Sequence, residues 1–161
     1  MEEAKTEAKP PGVVTSTTKY KSSEVPTKPI MDMKMGTSGL RKKTKIWKQP
    51  NFRENFFQAF YDELAPSLQN PSMLVISGDG RYLSRPTIAL ALRIAAANGV
   101  DEVHIGRGGL FSTPAISSYI RRFNKEQGNC LGGFVLTASH NPGGPDEDFG
   151  IKFNDALGAP A

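Results

Sequence analysis

Cysteine is nearly missing from this chain, with Cys130 the one thiol in 161 residues. An internal disulfide is therefore excluded, and a reducing cytosol suits the sequence. Asn129 and Leu131 beside it offer no activating base, so Cys130 reads as a small buried or half-buried residue and not as a nucleophile. Long apolar runs are missing too. No stretch approaches the ~20 residues of a spanning helix, and a composition 38% hydrophobic and 22% charged argues against a membrane protein. No apolar leader segment opens the chain, and Glu2, Glu3 and Glu7 argue against a transit peptide. A cytoplasmic location with no membrane partner is expected. Acids are missing between Met33 and Gln49, where Lys34, Arg41, Lys42, Lys43, Lys45 and Lys48 fall. The plain reading of that patch is a solvated strand and loop; the sharper one is a surface that meets phosphate. No nucleic-acid motif accompanies the charge, so no nucleic acid is expected. The Gly-x-Ser-x-Gly elbow of acyl-transfer enzymes is absent. Gly106-Arg107-Gly108-Gly109 lacks the spacing of a dinucleotide or P-loop fingerprint.

What is present alternates strands with helices. Residues 1–29 are poor in large apolar groups and rich in Lys, Glu, Thr, Ser and Pro. They read as a mobile tail, because they bury too little to offset the entropy of ordering. Alternation over 30–35 predicts a first strand, broken at Gly36-Thr37-Ser38-Gly39. Asn51 reads as the cap of a helix, with Glu54 three places on. Phe52, Phe56, Phe57, Phe60, Tyr61 and Leu64 make its apolar stripe. The run 73–77 predicts a strand covered on both faces. A helix from Arg85-Pro86 to Asn98-Gly99 follows, then a strand over 102–106. There His104 reads as a surface or satisfied structural residue. Thr113-Pro114 reads as the cap of a helix through Glu126, and Leu131 to Leu136 as the next strand. Gly150 to Asn154 is the last, with Lys152 on one face and Ile151 and Phe153 on the other. This order predicts an α/β domain of three layers, α/β/α, with a mixed, mostly parallel sheet.

Between the last two strands lies Thr137-Ala138-Ser139-His140-Asn141-Pro142-Gly143-Gly144-Pro145. A turn there can hold the Ser139 hydroxyl at the rim of the sheet, where ligands of open α/β sheets bind. Serine alone is a weak nucleophile and needs a base or a metal. Upstream, the glycines of Gly36-Thr37-Ser38-Gly39 allow close backbone approach to a ligand, and Arg41 can bind phosphate in two-pronged fashion. On residues alone an edge turn with an exposed arginine is favoured at that site, and an exposed strand lysine at Lys152. Gly78-Asp79-Gly80-Arg81 reads as a self-contained turn, with a supporting role near the serine left open.

These motifs carry a resemblance. The string from Thr137 to Asn154, TASHNPGGPDEDFGIKFN, resembles the active-serine loop of the α-D-phosphohexomutases, the phosphoglucomutase branch in particular. Gly36 to Lys43 is similar to the family's N-terminal substrate loop, apart from Met35 where close relatives are expected to carry proline. Gly78 to Tyr82 is a third match, in order. The resemblance implies a domain I fold over residues 30–155, with a divergent end at 156–161. It implies that Ser139 carries a phosphoryl group and passes it between glucose 1-phosphate and glucose 6-phosphate through glucose 1,6-bisphosphate. It further implies proton transfer by Lys152, positioning by His140, and contacts from Arg41, Thr37 and Ser38 to a hexose phosphate. Phosphoserine needs a cation, and the family uses Mg²⁺, so Ser139 would be a metal ligand through its phosphate.

The family's Asp-x-Asp-x-Asp metal loop, sugar loop and distal phosphate-binding domain have no match in this sequence. The expectation is therefore a fragment, covering about the first quarter of a full-length enzyme, with negligible mutase turnover alone. The alternatives are a noncatalytic phosphosugar-binding or regulatory protein with this fold, and a phosphoryl acceptor acting in trans. Self-association through exposed domain faces stays open, and no protein partner is named.

Overall fold

The computed structural model describes residues 21–36, 39–64, 66 and 72–161. A five-stranded mixed sheet makes the middle layer. Its strands are β1 (Leu40–Lys43), β2 (Met73–Gly78), β3 (Glu102–His104), β4 (Cys130–Leu136) and β5 (Asp148–Asn154), in the order β1-β5-β4-β2-β3. β3, β2 and β4 run parallel, while β5 is antiparallel to β4 and β1 antiparallel to β5. The parallel pairs are those joined through helices, as parallel crossovers require. β4 and β5 are joined by the serine loop alone, which a hairpin-like antiparallel pair permits.

Side-chain alternation sorts the sheet into two cores. Leu74, Ile76, Phe134, Leu136, Phe149, Ile151 and Phe153 face one way. They pack with α1 (Thr44–Trp47), α2 (Phe52–Leu64) and α3 (Ser84–Ala97). The aromatic stripe of α2 supplies Phe52, Phe56, Phe57 and Tyr61 to this core, and Phe60 packs at its edge. Met73, Val75, Cys130 and Val135 face the other way, against Ile116, Ile120 and Phe123 of α4 (Thr113–Glu126). β2 is buried along its whole length for that reason. α4 packs on β4 and β2 and meets β5 at Asn154, whose Nδ2 donates to Ser117 Oγ at 2.7 Å. Cys130 is buried, and burial pushes its thiol up to about 11. His104 is held on both sides, Nδ1 2.6 Å from Tyr119 Oη and Nε2 2.7 Å from Glu102 Oε1. It is the satisfied structural histidine that the sequence suggests.

Four local expectations need correction. Residues 30–35 form no strand; the first strand is β1, beyond the turn. The chain bends at Ile30, whose carbonyl accepts from Met33 N at 3.2 Å, and Ile30 and Met33 lean on the core at a spacing of three, not two. Asn51 adopts φ 61°, in the left-handed region, and not the extended backbone of an N-cap. Ser112, not Thr113, caps α4; its side chain accepts from Ala115 N, and Thr113-Pro114 are the first helical residues. The strand at 102–106 stops at His104. The short helix α1 was not expected. It exists around Trp47, fully buried, whose Nε1 donates to Phe149 O at 2.8 Å. Of the expected tail, residues 1–20 lie outside the described residues, and Lys28 O accepts from Asn55 Nδ2 of α2 at 2.9 Å. At the other end Asp155 N donates to Ala159 O and Ala161 N to Phe153 O, folding the last residues back on β5. No helix among the described residues is long and apolar enough to cross a membrane.

Candidate active site

β4 delivers its chain to the rim of the sheet and then turns. Thr137 and Ala138 are still buried, and Ser139 is exposed. Ser139 adopts φ 55°, a left-handed conformation that costs a non-glycine residue about 1–3 kcal/mol and is found preferentially at functional sites. Its surroundings hold it there from different elements. Its N–H donates to Thr137 Oγ1 at 2.9 Å. Its Oγ accepts from Arg41 Nη2 of β1 at 2.9 Å. The turn thereby presents the hydroxyl outward, already in contact with a guanidinium.

Arg41 reaches it because of what β5 lacks. Arg41 stands opposite Gly150 in the β1–β5 register. A Cβ at Gly150 would lie 3.0 Å from Arg41 Cγ and 2.5 Å from Thr137 O. Only glycine lets the arginine stem cross the strand there. Lys152, two residues on, shares that face. Gly39, at φ 87°, closes over its stem, since a Cβ there would lie 2.9 Å from Lys152 Cγ. Burial, and then the charge of Arg41, push the Lys152 amine below its ordinary value of 10.5. Neither Arg41 nor Lys152 has an acidic partner among the described residues. Arg41 Nε is buried and unbonded among them as well. Two cations held together without a counter-ion favour a bound anion, and a planar guanidinium fits phosphate oxygens.

Two other basic residues of the same segment are paired with acids. Lys42 Nζ pairs with Asp32 at 2.6 Å. Lys43 Nζ pairs with Asp148 at 3.0 Å and Glu147 at 3.4 Å, and the Asp148 carboxylate holds the Lys43 amine above its ordinary value. Lys34, Lys45 and Lys48 are exposed. Of these six, Arg41 is the one with a hydrogen bond to Ser139 Oγ among the described residues.

Two residues of the turn after β2 bear on the loop. Thr137 Oγ1, having accepted from Ser139 N, donates to Asp79 Oδ2 at 2.6 Å. Asp79 also pairs with Arg81 Nη2 at 2.7 Å. Burial would raise the Asp79 carboxyl, but the bonds from Arg81 and Thr137 outweigh it and hold the group below its ordinary 3.8. A carboxylate whose folded value is depressed contributes stability that is full above its unfolded value, near 4, and is lost as pH falls through the folded value. Unfolding by urea from pH 7 down to pH 2 should therefore show an acid-side loss that is shallower in Asp79→Asn. An Asp79→Asn profile parallel to that of the parent would contradict this.

The expected site residues divide into three groups. Ser139, Arg41 and Lys152 come together at the β1–β5 edge. His140 is exposed and has no hydrogen-bond partner among the described residues. Thr37 and Ser38 lie outside the described residues; the flanking Gly36 and Gly39 exchange backbone hydrogen bonds of 3.0 Å each. The sequence assigns no site role to Thr137; for Asp79 and Arg81 it favours a self-contained turn with a supporting role left open, and the two bond across to the serine loop. The Gly-Asp-Gly-Arg motif was the available signal. For Mg²⁺ the donor set does not fit. The charged side chains hydrogen-bonded to Ser139, those of Arg41 and Arg81, are cations, and no group of three His, Cys, Asp or Glu is arranged to hold a metal among the described residues.

A family model described as phosphoglucomutase/phosphomannomutase, alpha/beta/alpha domain I, matches residues 32–161. The chain is 50% identical over 143 residues to a phosphoglucomutase, cytoplasmic, of Populus tremula, covering 88% of this chain and 25% of that one. It is 53% identical over 137 residues to phosphoglucomutase-1 of Paramecium tetraurelia, covering 84% and 24%. The solved open form of the exocytosis-sensitive phosphoprotein pp63/parafusin of Paramecium, a phosphoglucomutase, superposes with a TM-score of 0.82 at 53% identity, covering 84% of this chain and 24% of that one. The chain spans about a quarter of the length of the curated relatives it matches. With the three-layer fold and the serine loop already in view, these matches establish that the chain belongs to the phosphoglucomutase/phosphomannomutase family and carries its α/β/α domain I.

Proposed function

We propose that this chain supplies the phosphoryl-carrying serine of a phosphoglucomutase-type phosphotransferase, acting on glucose 1-phosphate and glucose 6-phosphate with glucose 1,6-bisphosphate as intermediate and donor. The observation that carries the reading is the contact of Arg41 Nη2 with Ser139 Oγ at 2.9 Å, at an exposed and strained turn. A phosphate on that oxygen would meet the guanidinium at once. Transfer is then a balanced exchange. The bond from phosphorus to Ser139 Oγ breaks as a sugar hydroxyl oxygen bonds to phosphorus. The hydroxyl proton leaves to a base and the serine oxygen regains one. Lys152 is proposed as the base; burial and then the charge of Arg41 push its amine below its ordinary value, the direction a proton acceptor needs. His140, exposed beside the serine, suits contact with the incoming sugar, and Thr37 and Ser38 are proposed as contacts on the opposite loop. No step is routed through Mg²⁺, for which the described residues offer no cage. The relatives named as cytoplasmic support the same compartment here. Every residue named in this scheme falls within residues 30–155.

The test is discharge of the phosphorylated chain. Phospho-Ser139 protein mixed with glucose 6-phosphate should lose its phosphate and yield an equivalent of glucose 1,6-bisphosphate. Saturable binding of glucose 6-phosphate with no transfer over hours would favour a noncatalytic phosphosugar-binding role instead.

A further inference from the structure

The surroundings of Arg81 are unusual. Its side chain is 7% exposed, on a turn at the protein surface. A guanidinium has five N–H groups, and here each finds an acceptor. Nε donates to the Asp79 carboxylate, at 3.0 and 3.1 Å from its two oxygens. Nη2 donates to Asp79 Oδ2 at 2.7 Å and to Ser139 O at 3.2 Å. Nη1 donates to Asp148 O at 2.9 Å and Asn141 O at 3.3 Å. One side of the fork is fixed by a carboxylate from its own turn. The other side takes three backbone carbonyls, two from the serine loop and one from the start of β5. Gly143 packs against the stem, where a Cβ would lie 3.0 Å from Arg81 Cβ.

We infer that Arg81, oriented by Asp79, is a positioning residue that holds the Ser139 turn in its strained, transfer-ready conformation. The inference rests on Ser139 being the phosphoryl carrier. Ser139 is then fixed through its carbonyl by Arg81 and through its N–H by Thr137. Both Arg81 and Thr137 answer to the same carboxylate, Asp79. None of these bonds uses Ser139 Oγ, so the oxygen stays available for chemistry. Lysine keeps the charge but has three donors radiating from one atom, and cannot reach carboxylate and carbonyls in one plane. A loss of placement of about 1 Å at a reacting atom can cost roughly 100-fold in rate.

Two readouts test this on the intact chain with Arg81→Lys. The single-turnover rate of phosphoryl uptake from glucose 1,6-bisphosphate should fall roughly 100-fold, while the half-saturating donor concentration stays within about threefold. Amide hydrogen exchange should quicken at Ser139 and Asn141 and stay unchanged along β4. Asp79→Asn, which retains the shape but not the charge, should move both readouts in the same direction and by less. It serves also if Arg81→Lys fails to fold. Uptake at the parent rate, unchanged loop exchange, or faster exchange spread over the whole sheet would each overturn the inference. If the parent chain takes up no phosphate, the proposed function has failed; loop exchange in the variants still decides whether Arg81 fixes the turn.

Discussion

Replacing Arg41 by glutamine is expected to slow phosphoryl uptake at Ser139 by about 100- to 1,000-fold, the usual effect of removing one preorganised donor from a site of developing charge. The side chain is well placed to be that donor. It touches Ser139 Oγ at 2.9 Å and has no acidic partner among the described residues to divert it. It is partly exposed on an edge strand and crosses Gly150, outside both hydrophobic cores, so its loss opens no core cavity. The variant should fold, and its defect should be one of rate. A second effect follows at Lys152. Arg41 is one of the two causes that push its amine down, the other being burial. Without Arg41 the amine moves back up toward 10.5, and fewer molecules hold it neutral at any pH below that. Titration of the lysine side chain by NMR in Arg41→Gln and the parent measures that displacement. Arg41→Lys should recover part of the rate, since it restores charge without the planar fork. A rate within threefold of the parent in Arg41→Gln would leave the cation without a role in transfer.

The largest stability effect is expected at Trp47. Truncation to alanine should cost about 3–5 kcal/mol, the range for a fully buried large aromatic, against a total of about 5–15 kcal/mol for a domain. Its ring packs edge-on against Phe52, Phe56 and Phe149 at 5.2, 5.4 and 5.4 Å. Its Nε1 satisfies Phe149 O, on the strand that carries Gly150 and Lys152. Trp47→Phe keeps most of the packing and loses that bond, and should cost about 1–3 kcal/mol through the stranded carbonyl. Urea unfolding, followed by circular dichroism because the fluorophore is removed, gives both values. A cost below about 1 kcal/mol for Trp47→Ala would mean that neighbouring rings close the gap.

Where the sequence was readable, one local pattern determined the outcome. Strand β2 is apolar over residues 73–76 and is buried on both faces. The stripe from Phe52 to Tyr61 at helical spacing became one face of a core. Lys152 lies opposite Ile151 and Phe153, as period two demands. The serine turn stood out because an apolar strand runs into a hydroxyl, two glycines and two prolines. Where the reading failed, a distant partner decided. Residues 30–35 alternate like a strand, but β1 takes the place beside β5, leaving Ile30 and Met33 to bend onto the core. The charge patch looked uniform because Asp148 and Glu147, which neutralise Lys43, lie about a hundred residues away in the chain. For Asp79 and Arg81 the sequence favours the self-contained turn over the supporting role for the same reason, since their acceptors and donors on the serine loop and β5 come from beyond residue 136.

The most direct test of the account is to map the phosphate after the chain has been incubated with glucose 1,6-bisphosphate. Intact mass followed by peptide sequencing should show one phosphoryl group per chain, on Ser139, and none on Ser139→Ala, whose fold is preserved. Phosphate on another residue, or a parent chain that binds the bisphosphate and remains unmodified, would contradict the assignment of Ser139 as the phosphoryl carrier.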